Sequence, residues 1–109
     1  MHGRAGNSSR NGISSETRLG ISPKVTLGAL GNNEGGVLLK LDSGEMYTIN
    51  DTTAAFITEL NGSKRFADVV HRLSTMFDVD VDILEADLVE IADDLIDQQL
   101  IHAIYESAT

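Results

Sequence analysis

The 109-residue chain contains no cysteine and no tryptophan, a single proline, Pro23, and only 5% aromatic residues. Without cysteine there is no disulfide, no thiolate nucleophile, no redox couple and no cysteine-ligated zinc or iron–sulfur centre. No apolar run approaches the roughly 18 residues of a membrane span, and the N-terminus lacks the apolar segment of a secretory signal. The sequence therefore reads as a soluble, cytoplasmic protein in which the sequons at Asn7, Asn50 and Asn61 stay unused. So short a chain allows one domain, and so few aromatics give it a thin, aliphatic core.

Positive charge is the other scarcity. The formal net charge is −9, with residues 1–40 carrying +3 and residues 41–109 carrying −12. From Asp78 to Asp97 there are nine acids, namely Asp78, Asp80, Asp82, Glu85, Asp87, Glu90, Asp93, Asp94 and Asp97, and no base. Such a balance repels phosphate backbones and anionic membrane surfaces, so neither nucleic acid nor a membrane is expected as a partner.

Residues 1–22, rich in Gly, Ser, Asn and Arg with Ile13, Leu19 and Ile21 out of period, read as a disordered tail, followed by one domain over residues 23–105. Period-two alternation predicts a first strand over residues 25–29, a second over Val37–Leu41 and a third over Glu45–Ile49. Turn chemistry fills residues 31–36 and Asp42-Ser43-Gly44. Asn50, Asp51 or Thr52 caps a short helix carrying Ala54, Phe56, Ile57 and Leu60 and stopped by Asn61-Gly62. A second helix carries Phe66, Val69, Val70, Leu73, Met76 and Phe77. Asp82 caps a third, running to about Gln99, with Leu84, Leu88, Ile91 and Leu95 on one stripe. Residues 100–105 form a short strand or a docked extension. The fold class is α+β, a three-stranded antiparallel sheet followed by three helices, winged-helix-like by element count.

No catalytic constellation accompanies these elements. Asp78, Asp80 and Asp82 have the alternate spacing of a calcium loop, but Ile83 stands where the sharp turn needs Gly and Val89 where the bidentate Glu belongs. His2, His71 and His102 lie in no motif, and Gly28, Gly31, Gly35 and Gly36 match no phosphate-cradling loop. No enzyme, cofactor or metal is expected. Winged-helix DNA binding is the alternative function, and the acids of the third helix oppose it. A meander with open edges beside an amphipathic helix instead suits addition of an extended peptide as a further strand.

The run Gly36–Ala54, then Leu60-Asn61-Gly62, Phe77-Asp78-Val79, Asp87-Leu88-Val89 leading to Leu95, and Gln99-Leu100-Ile101 resembles the PqqD-like family over residues 24–102. Ile49 replaces the Leu of the family pattern and Gln99 its Gly. The resemblance implies a non-catalytic element that binds the leader segment of a ribosomally synthesised precursor peptide on the third strand and against the third helix. The residues so implied are Glu45, Met46, Tyr47, Thr48 and Ile49 on the strand, and Leu84, Asp87, Leu88, Ile91, Asp94 and Leu95 on the helix. With its extended N-terminus the chain looks most like the leader-binding proteins of lasso peptide clusters. The partners that implies are a precursor leader, a separate cysteine leader peptidase and an ATP-dependent cyclase.

Overall fold

The computed structural model describes residues 9–30 and 34–104. In chain order the elements are β1 (Arg18–Ile21), β2 (Val25–Ala29), β3 (Gly36–Lys40), β4 (Met46–Ile49), α1 (Asp51–Thr58), β5 (Asn61–Arg65), α2 (Phe66–Phe77), α3 (Val81–Asp97) and β6 (Ile101–Ile104).

The expected meander forms as β2-β3-β4, with Val25 opposite Lys40 and Leu39 opposite Met46. At its second turn Gly44 takes φ 79°, and its N–H donates to the Lys40 carbonyl at 2.8 Å. At the first, the Leu30 N–H donates to the Gly35 carbonyl at 3.0 Å. The middle of that turn, residues 31–33, lies outside the described residues. Gly35 has φ 81°, and a Cβ there would collide with the Ile49 carbonyl, so only glycine fits. One face of the meander is core: Val25 and Leu38 are buried while Thr26 and Thr48 are exposed.

The three helices are present, with different ends. Asn50 caps α1, its side chain accepting from the Thr53 N–H at 2.8 Å. Asp80 rather than Asp82 caps α3, accepting from the Asp82 N–H at 2.8 Å. The last turn of α3 closes with the Leu100 N–H on the Leu95 carbonyl and the Gln99 N–H on the Ile96 carbonyl, both at 2.9 Å. This geometry puts Gln99 in the left-handed region at φ 64°, a place usually taken by glycine.

A second antiparallel sheet, β5-β1-β6, departs from the expected order of strands first and helices after. Its central strand, β1, comes from the segment expected to be disordered, and β5 separates α1 from α2. Residues 9–22 are a built part of the domain; residues 1–8 and Tyr105 lie outside the described residues. The physical reason is remote. Leu19 is 2% exposed because β6 and β5 supply ladder partners, Leu19 opposite Ala103 and Arg18 opposite Arg65, far along the chain. Ile13 is buried in the main core cluster, which also holds Phe66 and Val89. The carbonyls of Thr17 and Ser15 accept the Phe66 N–H at 2.7 Å and the Ala67 N–H at 3.0 Å, capping α2, whose N-cap residue Arg65 supplies no side-chain bond. Local composition carries no trace of partners that distant.

Every element but β5 contributes to one core built on Leu19, Leu38, Phe56, Phe66, Leu73, Leu88 and Leu100, in which the Phe56 and Phe66 rings pack edge to face with centroids 6.2 Å apart. No helix among the described residues is long and apolar enough to cross a membrane.

Candidate functional site

The site is built around β4, an edge strand that pairs, among the described residues, with β3 alone. Which of its backbone groups are open follows from the ladder. The Lys40 N–H donates to the Glu45 carbonyl at 2.9 Å, so Lys40 and Glu45 face each other at a hydrogen-bonded position. Antiparallel alternation then assigns Tyr47 and Ile49 to the bonds with β3 and leaves the N–H and C=O groups of Met46 and Thr48 pointing away from the sheet. These four groups are the template for an added strand.

The side chains divide in the opposite sense. Met46 is 68% exposed and Thr48 is exposed, whereas Tyr47 and Ile49 are half-buried and pack on the core cluster. The Tyr47 hydroxyl donates to Glu45 Oε1 at 3.2 Å, and Lys40 Nζ lies 5.7 Å from the centre of the Tyr47 ring.

The residues expected on α3 fall into two groups. Leu84, Leu88 and Leu95 are 4%, 0% and 5% exposed and belong to the core. Ile91 is half-buried and packs on the same core cluster as Tyr47 and Ile49. Asp87 and Asp94 are exposed, but only Asp87 is free of an ion pair with another described residue. Arg10 reaches Asp94 at 3.0 Å and Asp97 at 2.5 Å.

Arg10 is brought there by its backbone. Asp93, 3% exposed, accepts from the Ser9 hydroxyl at 2.7 Å, the Arg10 N–H at 3.0 Å, and the Asn11 N–H and side-chain amide at 3.2 and 3.0 Å. Burial works to raise the Asp93 carboxyl, yet these bonds outweigh it and hold the group below its ordinary range. A basic residue from the N-terminal part of the domain thus neutralises part of the acid stripe before any ligand arrives.

Sequence reading missed a cavity of about 410 Å³ just past the end of β4, lined by Asp51, Ala55, Met76 and Phe77. Met76 is 52% exposed at the margin of the apolar stripe of α2, and that marginal position was the available signal.

By its fold the chain is a mixed α+β domain with antiparallel sheets and three helices, similar to recognition elements of ribosomally synthesised and post-translationally modified peptides (RiPPs). The family model described as coenzyme PQQ synthesis protein D (PqqD) matches residues 35–101, and the chain belongs to that family. Among solved structures it is similar to the PqqD truncation of Methylobacterium extorquens PqqCD, described as a functional, stand-alone RiPP recognition element. The TM-score is 0.69 at 19% identity over 83% of this chain and 94% of that one. It is also similar to TbiB1 in complex with the TbiA(β) leader peptide, with a TM-score of 0.66 and 24% identity over 80% of this chain and 99% of that one. A third, a lasso peptide synthetase B1 complexed with the leader peptide, gives a TM-score of 0.63 at 28% identity over 80% of this chain and 98% of that one. No curated protein matches the chain.

Proposed function

We propose that the protein is a non-catalytic recognition element that binds the leader segment of a ribosomally synthesised precursor peptide. The leader adds to β4 as a fourth strand beside α3. The observation that carries this reading is the open edge of β4, where the Met46 and Thr48 backbone groups face outward next to an exposed Met46 side chain. Main-chain hydrogen bonds supply affinity, and apolar side chains of the leader settle against Ile91 and the cavity at Met76 and Phe77. Membership of the PqqD family and the leader-bound neighbours support the assignment to RiPP biosynthesis of the lasso peptide type, which we place in the cytoplasm. The complex would then present the precursor to a separate cysteine leader peptidase and an ATP-dependent cyclase. The domain comprises residues 23–104 together with β1 and the segment of residues 9–17 that precedes it.

Fluorescence anisotropy with a labelled leader from a precursor encoded beside this gene tests the reading. Saturable binding at micromolar protein is expected, and its absence overturns the proposal. Winged-helix DNA binding, the competing function, would set the acids of α3 against phosphate. A mobility shift with DNA that survives physiological salt would reverse the ranking.

A further inference from the structure

The two ends of the β4 edge differ in chemistry. Glu45, Tyr47 and Ile49 share one side of the chain, two residues apart, and Tyr47 and Ile49 show that this is the side facing the core. Past Ile49 lies the cavity of about 410 Å³, whose wall holds Ala55, Met76 and Phe77 beside Asp51. At the other end the side chain on offer is the Glu45 carboxylate.

That carboxylate is held by one oxygen. Its Oε1 accepts from the Tyr47 hydroxyl at 3.2 Å and from the Ser43 hydroxyl at 3.4 Å, and Lys40 Nζ lies 3.7 Å from the same atom. Oε2 makes no hydrogen bond to a described residue. The Glu45 side chain is 59% exposed and that of Lys40 only 18%, so an incoming group meets the anionic end of the pair. Asp42, exposed in the adjoining turn, has no ion pair with a described residue and adds to the same sign. One sheltered base against two acids leaves this end of the edge negative, with an oriented carboxylate oxygen ready for a charged donor.

An added strand meets this side at every second residue. Its hydrogen bonds go to the outward groups of Met46 and Thr48, so the residues facing Glu45, Tyr47 and Ile49 occupy non-hydrogen-bonded pairs. In such pairs the Cβ atoms stand about 4.5–5.5 Å apart and the side chains interact directly. Antiparallel addition, which continues the sheet, brings ligand residues n, n+2 and n+4 opposite Ile49, Tyr47 and Glu45 in that order. The residues between them turn to the other face with Met46 and Thr48.

Resting on the leader-binding reading, we infer that Glu45 is a specificity-determining residue that selects a lysine or arginine of the leader, placed four residues after an apolar side chain that faces Ile49. The basic group closes on Oε2, and the residue between the two anchors faces the Tyr47 ring.

The test is fluorescence anisotropy of the full chain with the labelled leader from a precursor encoded beside this gene and with single substitutions of that leader. Glu45→Gln still accepts the Tyr47 hydroxyl but carries no charge, and it should weaken the native leader about threefold, as should replacing the selected base by Gln. The two changes together should cost no more than either alone. Glu45→Lys should reverse the preference and bind a leader with Glu at that position better than the native one, an exchange that a purely structural role for Glu45 does not produce. Moving the base by one residue in either direction sends it to the outer face and should abolish the effect of Glu45→Gln. Each loss should shrink as salt is raised. A native leader that binds both proteins equally, or losses that add, would overturn the inference and leave the leader-binding reading standing. Dependence on Glu45 from a base that precedes the apolar residue would overturn the antiparallel placement. No binding of the native leader to the unaltered protein would overturn that reading, and the inference with it.

Discussion

Asp93 is the only charged side chain among the described residues that is fully buried, and its four donors all belong to Ser9, Arg10 and Asn11. Asp93→Ala would leave those donors facing a void, at a cost of roughly 2–3 kcal/mol in chemical denaturation. Its depressed folded pKa fixes the sign of the pH response. The stabilisation is fully present above the unfolded Asp value of about 3.9 and is lost as pH falls through the lower folded value. Amide shifts of Arg10 and Asn11 should therefore report detachment of this segment only below about pH 4, and an Asp93→Asn protein should keep only the smaller step of Asp97, whose carboxyl the same two residues hold low. Leu88, at 0% exposure, illustrates the limit of a helical stripe read as a binding face. Leu88→Asp would unfold the core rather than locate a groove. Asp87→Lys is the informative variant, since Asp94 is already paired with Arg10. It should weaken binding of a basic leader at low salt more than Asp94→Lys does; equal effects would mean that Arg10 does not preoccupy Asp94.

At the scale of elements, strand addition makes a prediction independent of side chains. Met46→Pro removes an N–H that points away from β3, so the β3–β4 ladder keeps its bonds while the added strand loses one. Leader affinity should fall about tenfold by anisotropy, with the circular dichroism spectrum unchanged. Unchanged affinity would remove strand addition from the mechanism. The N-terminal strap is the other element with a measurable role. Ile13 is 7% exposed in the core cluster, and Ile13→Ala should cost about 2 kcal/mol in denaturant, whereas a disordered tail would cost nothing. Glu59 ties three elements together, its carboxylate at the end of α1 meeting Lys64 of β5 at 2.5 Å and Arg72 of α2 at 3.0 Å. The bond from Lys64, opposed by burial and reinforced by Arg72, holds that carboxyl below its usual range.

For the whole molecule, the separation of charge noted in the sequence is partly undone by folding. Arg10, from the net-positive segment, lies across the acid stripe of α3, and Arg65 meets Glu16 at 3.3 Å. What remains negative and unpaired there includes Asp87, so electrostatics should tune the rate and selectivity of leader binding rather than drive it. Raising salt from low to physiological ionic strength should slow association of a basic leader and leave an uncharged variant of it unaffected.

Much of this protein was legible in its residues. The alternation of Val25–Ala29, the Gly44 turn and the Asn50 cap are local choices made by neighbouring side chains, and they place β4 and its edge. The acid stripe of α3 and the apolar stripe beneath it are likewise periodic facts. Tertiary structure alone decided the rest. It turned Arg18–Ile21 into the centre of a second sheet, made Asn61–Arg65 a strand without an apolar run, and set Arg10 on Asp94. Each depends on partners many residues away, which composition and periodicity do not register. It also decided which members of the α3 stripe are core and which can meet a ligand, because burial belongs to the packed molecule and not to the spacing of its letters.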